Sequence, residues 1–297
     1  MTGETINAES PCDWSAYDQS HTGREFRPQR DGNGKNLKVS ISSILDTVLN
    51  ILYPRRCPVC DQALPFLKNK GEKKAAEICP ECEKKLPLIR GSVCMKCGKP
   101  VDRIGAEYCP DCSSFRHAFD CGRAAFTYTG VMRESVFRIK YKGRREYLEY
   151  YGGILAGLFE ERVRRWNPEV LIPVPMYWKK KNRRGFNQAE VLAGELSRRW
   201  GIPLETGVLS CCRDTAAQKS LGRKERRENL AGAFRLTKES LPWERVLLID
   251  DVYTTGSTLD EAARLLRVGG AKKIYFLTLC IGKGKKAVCT EKNVWYT

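Results

Sequence analysis

VLLIDDVYTTGST, residues Val246 to Thr258, runs from four apolar residues through two adjacent aspartates into small hydroxylated residues around one glycine. The apolar half predicts a buried strand, VLLIDDV. The polar half predicts a loop opening a helix from Thr258 to Val268, closed by Gly269 and Gly270. Such a loop gathers backbone N–H groups and hydroxyls around one phosphate at a helix N-terminus. Asp250 and Asp251 would repel that phosphate, so they are expected to face a sugar diol or the water shell of a divalent cation. A phosphorylated ribose carrying a magnesium-bound pyrophosphate meets both demands. A helix-capping role alone leaves the paired aspartates and the TTGST run unexplained. An apolar strand ending in Asp-Asp also suits an NTPase, but no G-x-x-x-x-G-K-[ST] occurs in the chain.

Outward from this stretch, strands and helices alternate. KKIYFLTLCI follows as a strand, and VLIPVP is a short strand stopped by prolines, with a helix from about Asn187 to Trp200 behind it. Tyr147 to Trp166 places Leu148, Tyr151, Leu155, Leu158 and Phe159 on one helical face, and a first helical pattern lies within Thr127 to Ile139. The alternation predicts an α/β fold with a parallel sheet, whose ligands sit at the carboxyl ends of the strands, where the two aspartates fall.

The chain before residue 119 has a different character. Eight of the protein's 14 cysteines fall there as CPVC (Cys57, Cys60), CPEC (Cys79, Cys82), CMKC (Cys94, Cys97) and CPDC (Cys109, Cys112). Two thiolate pairs close one tetrahedral zinc, so four pairs predict two structural Zn2+ in a small domain that lacks a large core. Consecutive ribbons and a cross-braced pairing both fit the spacing. Each tetrathiolate centre carries a charge of −2, which lowers the formal +17 to about +13. The basic balance points to an anionic partner, and Lys68, Lys70, Lys73, Lys74, Lys84 and Lys85 could serve it or simply be solvated.

Residues 1–36 are polar and aperiodic and are expected to be a disordered leader, with Cys12 isolated in it. Ile41, Ile44, Leu45, Val48, Leu49 and Leu52 share one face of an amphipathic helix. The expected domains are therefore 1–36, 37–118 (this helix and the double ribbon) and 119–297. MTGETINAES is no signal peptide, and with no integral membrane segment the thiols are expected in reducing cytoplasm.

VLLIDDVYTTGST resembles the 13-residue phosphoribosyl pyrophosphate motif of type I phosphoribosyltransferases. With IPVP, RRGFNQAEVLA, CRDTAAQKSLGRKERRENLAGAF and the double zinc ribbon in front, the chain is similar to the ComF family of competence proteins over roughly Ile44 to Ile281. The resemblance implies a type I phosphoribosyltransferase-like domain that binds phosphoribosyl pyrophosphate with Mg2+. In it, Asp250 and Asp251 would hold the ribose hydroxyls and magnesium's outer shell, and Thr254, Thr255, Gly256, Ser257 and Thr258 would wrap the 5′-phosphate. Pro175, Met176 and Tyr177 correspond to the pyrophosphate loop, although small residues are lacking there. Arg213, Gln218, Arg223, Arg227 and Asn229 lie in a segment resembling a loop that closes over the site and brings cations to the leaving pyrophosphate.

Arg183, Arg184 and Asn187 are expected to reach pyrophosphate from the start of a helix, while Phe186 suits either a base stack or the core. Arg133, Arg138, Lys140, Lys142, Arg144 and Arg145, with Tyr141 and Tyr147 interleaved, have the composition of a single-strand nucleic-acid groove or of a plain charged helix end. Two functions stay open. One is a protein of natural transformation that binds phosphoribosyl pyrophosphate and acts with single-stranded DNA and DNA-uptake proteins; the other is an active phosphoribosyltransferase with a nucleobase or amine acceptor.

Overall fold

The computed structural model describes residues 54–65, 77–101, 105–214 and 232–282. The leader, the amphipathic helix up to Leu52, Lys68 to Lys74, and Gln218, Arg223, Arg227 and Asn229 lie outside them. Contacts divide the chain into two units, Met1–Leu86 and Pro87–Thr297. The boundary between these units falls between the two cysteine-rich halves. The first four cysteines, with the short helix α1 (Pro80–Glu83), belong to one unit; the second four, with α2 (Pro110–Ser114), belong to the other.

The larger unit continues through β1 (Cys121–Thr127), α3 (Gly130–Tyr141), α4 (Tyr147–Trp166), β2 (Val170–Pro173), α5 (Trp178–Arg184) and α6 (Gln188–Trp200). It goes on through β3 (Leu209–Cys211), β4 (Phe234–Leu236), β5 (Arg245–Tyr253), α7 (Ser257–Val268) and β6 (Lys273–Ile281). Four parallel strands form the main sheet in the order β1-β6-β5-β2, while β3 and β4 pair antiparallel.

The central strands are apolar without alternation, as a parallel sheet covered on both faces requires. Strand alternation then assigns the covers. Val246, Leu248, Ile274 and Phe276 share one core with Leu259, Ala262 and Leu266 of α7 and with Cys94, Cys97 and Cys109. On the other face Tyr275 stacks on Trp166 of α4, ring centroids 4.8 Å apart.

Helix α4 spans the expected residues and stops where Asn167 turns left-handed, at φ 45°. Its buried face holds Leu148, Tyr151, Leu155 and Phe159, but Leu158 is exposed because the face centres on Gly152, Leu155 and Phe159. Ser135 Oγ and Tyr151 Oη, 2.7 Å apart, join α3 to α4. Strand β1 escapes a reading by pattern: CGRAAFT has weak strand propensity, and its Arg123 is buried. Arg123 donates to the carbonyls of Met95 at 3.0 Å and Gly122 at 2.7 Å, which satisfies part of a charge that sequence alone places on the surface.

Candidate functional site

The apolar half of β5 is fully buried as far as Ile249, and the chain reaches partial exposure at Asp250 and Asp251. Successive strand residues point to opposite faces, so the two carboxylates separate. Asp250 Oδ1 accepts from the Asp251 N–H at 2.8 Å. Burial, reinforced by the charge of Asp251, pushes the Asp250 carboxyl up to about 7. Asp251 Oδ2 instead meets Lys140 Nζ of α3 at 2.6 Å. Burial works against the charge on Lys140, but Asp251 and then Asp250 outweigh it and hold the ammonium above its ordinary pKa.

Lys140 therefore reaches the aspartate pair, whereas the sequence placed it in a basic strip that suited either a nucleic-acid groove or a plain charged helix end. Nothing in local spacing ties it to Asp251. Arg184 completes the cationic side: it lies over the Tyr141 ring at 5.7 Å and approaches Met176 Sδ at 3.8 Å. Burial lowers its pKa while Asp251 pulls the other way, so the guanidinium senses Asp251.

Beyond the aspartates the chain turns sharply. Gly256 has φ +81°, and a Cβ there would stand 2.5 Å from Tyr253 Oη. Only glycine lets the backbone run this close over the phenol. Gly256 is also the N-cap of α7 and supplies no side-chain cap, so the first N–H groups of a 12-residue helix point out of its end without one. Thr255 Oγ1 and Ser257 Oγ are 2.9 Å apart; Thr254 is exposed, Thr258 is half-buried and Ser257 is buried. Five small residues, an uncapped helix end and its positive dipole form the kind of arrangement at which helix N-termini bind anions.

Arg183 and Arg184 lie in the last turn of α5 and not at the start of a helix. The helix that follows begins at Gln188, with Asn187 as its cap. The Asn187 amide donates to Val174 O at 3.0 Å and accepts from Ala189 N at 3.1 Å, which binds the turn after β2 to α6. Phe186 is buried, so it belongs to the core. Arg213 follows β3, and its neighbour Asp214 pairs with Lys180 of α5 at 2.5 Å, so α5 and the root of the 215–231 segment are joined.

The basic strip is only partly the surface its composition suggests. Tyr147 is buried and cannot stack on a base, whereas Tyr141 is 55% exposed and Phe137 48%. Trp178, which the sequence reading passed over, is 56% exposed, with Lys179 Nζ 5.5 Å from its ring centroid. Phe137 and Tyr141 form a tilted pair at 4.9 Å. A separate cavity of about 580 Å³, lined by Arg145, Glu146, Glu149, Glu190 and Arg198 among others, includes none of the loop residues and takes no part in this site.

Both cysteine groups are assembled as consecutive ribbons: Cys57, Cys60, Cys79 and Cys82 in one, Cys94, Cys97, Cys109 and Cys112 in the other, all ligand atoms of each within 4.8 Å. Cys60 and Cys79 sulfurs are 3.7 Å apart, as are those of Cys97 and Cys109. Sulfurs at about 2.3 Å from one tetrahedral zinc stand roughly 3.8 Å apart, so the spacing fits the metal and excludes a bonded disulfide. Burial pushes Cys79 up to about 12 and Cys82 up to about 11. Zinc must displace those protons, and its hold weakens as the pH falls. Cys79→Ser is expected to lower the zinc-to-protein ratio by about one, measured by atomic absorption, and to loosen the first ribbon. Among the described residues no helix is long and apolar enough to cross a membrane.

Comparison with known proteins agrees with this layout. Residues 48–113 match the double zinc ribbon domain, and residues 181–296 match the phosphoribosyl transferase domain. The chain is 32% identical to Competence protein F of Haemophilus influenzae over 228 residues, 74% of this chain and 93% of that protein. It is 31% identical to Competence protein ComFC of Bacillus subtilis over 238 residues, 75% of this chain and 93% of that one. It is 30% identical to the DNA utilization protein YhgH of Salmonella typhimurium over 226 residues, 68% and 96% of the two chains.

Proposed function

Because this chain belongs to the ComF family of competence proteins, we propose that it binds phosphoribosyl pyrophosphate with Mg2+ and works on single-stranded DNA in natural transformation. The observation that carries the first part is the uncapped N-terminus of α7 directly after the aspartate pair. The 5′-phosphate takes the N–H groups and hydroxyls of Thr254 to Thr258. Asp250 and Asp251 accept from the ribose hydroxyls and hold the water shell of the cation. When bound, Mg2+ neutralises the pyrophosphate and polarises its bond to the anomeric carbon. Arg184 and Lys140 add fixed positive charge on the same side, and Arg213 stands where the 215–231 segment begins.

In a transfer reaction the bond from the anomeric carbon to pyrophosphate breaks, a bond to the acceptor forms, and the acceptor gives up its proton. Fixed cations favour this step because negative charge grows on the departing group. Both aspartates and the loop glycine are present, which keeps an active phosphoribosyltransferase with a nucleobase or amine acceptor as the second reading. Calorimetric titration of phosphoribosyl pyrophosphate with Mg2+ into the zinc-loaded protein tests the shared premise, and absence of any binding overturns both readings.

The DNA part rests on the exposed aromatics among cations: Tyr141 under Arg184, and Trp178 beside Lys179. Base stacking on such rings is worth about 1–3 kcal/mol per base. Tyr141→Ala with Trp178→Ala is expected to weaken single-stranded DNA binding by about 10-fold or more in a fluorescence titration. The salt slope should be nearly unchanged, because the phosphate contacts remain. Unchanged affinity removes this face from the DNA path.

A further inference from the structure

We propose that the second zinc centre is a working part of the phosphate site: Cys94, Cys97, Cys109 and Cys112 hold the loop Thr254–Thr258 in position through Phe119–Tyr253 and His117–Asp260. The inference rests on the reading of that loop as the seat of the 5′-phosphate.

The first link starts inside the CMKC knuckle. Gly122 N donates to Lys96 O at 2.8 Å, and Arg123 donates to Met95 O at 3.0 Å, so the knuckle is bonded to the start of β1. Lys96 Nζ lies 5.6 Å from the centroid of the Phe119 ring, which is fully buried. Phe119 meets Tyr253 edge-on at 6.3 Å and Phe276 edge-on at 4.8 Å, and Tyr253 stacks on Phe276 at 5.2 Å. The Tyr253 hydroxyl, buried and without a hydrogen-bond partner among the described residues, lies under Gly256. The height of the phosphate loop is therefore set by a ring whose own position is set by Phe119 and Phe276.

The second link leaves the ribbon by its other end. Beyond Cys112 and α2 the chain passes through His117, whose ring stacks on Phe119 at 4.6 Å. His117 Nδ1 meets Asp260 Oδ2 at 2.6 Å, and Ala118 N donates to Asp260 Oδ1 at 3.0 Å, across 143 and 142 residues of chain. Asp260 lies in the first turn of α7, where its N–H bonds Gly256 O at 2.8 Å. Arg267, in the last turn, donates to Ala118 O at 2.7 Å. The segment leaving the ribbon thus grips α7 at both ends. Zinc fixes the geometry at which that segment leaves, because a tetrathiolate ribbon without metal loses its fold. The first centre belongs to the other contact unit, so its metal is expected to act on its own ribbon.

Amide hydrogen exchange read beside ribose 5-phosphate binding separates these roles, since exchange reports loop order with no ligand present. Asp260→Ala should keep both zinc ions and speed exchange at Thr255 to Thr258 by about 10-fold, with β6 amides unchanged, and weaken ribose 5-phosphate binding about 10-fold. Asp260→Asn, which retains an acceptor for Ala118 N, should restore most of both. Cys112→Ser should lose one zinc and loosen the same amides; Cys57→Ser should lose one zinc and leave them as in wild type. Unchanged loop exchange in Asp260→Ala, or equal loosening by Cys57→Ser, overturns the coupling. Should Cys112→Ser not fold, the Asp260 pair decides alone. If the variants show this exchange pattern while the wild-type protein binds no ribose 5-phosphate, the phosphate reading fails and the coupling stands.

Discussion

Asp250→Asn combined with Asp251→Asn is expected to weaken binding of phosphoribosyl pyrophosphate with Mg2+ by about 100-fold or more while leaving both zinc ions in place. Hydrogen bonds to a charged acceptor contribute about 1.5–3 kcal/mol each, and the double change removes two such acceptors together with the charge that attracts the cation. Calorimetry with metal analysis checks this, and wild-type affinity in the double variant would remove the aspartates from the site.

The same pair predicts a pH signature. Asp250 sits at about 7 in the folded chain against an ordinary 3.8, and it must be ionised to receive the ribose and the cation. Affinity should therefore climb between pH 6 and pH 8, with proton release on binding. For stability the sign is opposite. Between those two pKa values the folded state holds a proton that the unfolded chain has lost, so stability falls as pH rises toward 7 and stays lower above it. Asp250→Asn, which cannot ionise, should melt above wild type at pH 8, and the gain should shrink toward pH 5. Asp251→Asn should instead melt below wild type, because Lys140 loses the partner 2.6 Å away that offsets its burial.

Gly256→Ala carries the second large effect. The residue is held at φ +81°, and the new Cβ would meet Tyr253 Oη at 2.5 Å and its Cζ at 2.8 Å. The backbone conformation alone costs about 1–3 kcal/mol for a residue with a side chain, and the collision must move either the loop or the ring. Moving the loop turns its N–H groups away from the phosphate, and loss of two charge-assisted bonds weakens binding roughly 100-fold. Ribose 5-phosphate titration and a thermal melt measure the two consequences separately. Adding Tyr253→Phe should not rescue the variant, since the ring carbon stays in the way. Undiminished phosphate affinity in Gly256→Ala would show that the turn is not the seat.

What the sequence by itself determined is local. The buried run of β5, the loop after it and the helix α7 were legible because period, glycine and hydroxyl content act over a few residues. The same holds for α4, bounded as expected at Tyr147 and Trp166, and for the four cysteine knuckles, whose spacing is a property of one zinc ligand pair. Only the tertiary structure decided what crossed the chain. It chose consecutive ribbons over cross-braced ones, and it built the second ribbon into the core of the α/β unit. It brought Lys140 of α3 to Asp251 at the end of β5, although local pattern marks that lysine only as part of a basic strip. It buried Tyr147, kept Tyr141 at the surface and left Trp178 exposed as a further aromatic that can meet a base. It also hid β1, a strand whose glycine, arginine and alanines carry no strand pattern and which holds its place through parallel pairing with β6. The physical reason is the same in each case: hydrophobic period reports the face a residue turns to its neighbours along the chain. Charge pairing, metal closure and sheet edges depend on which distant segment the crossovers bring alongside.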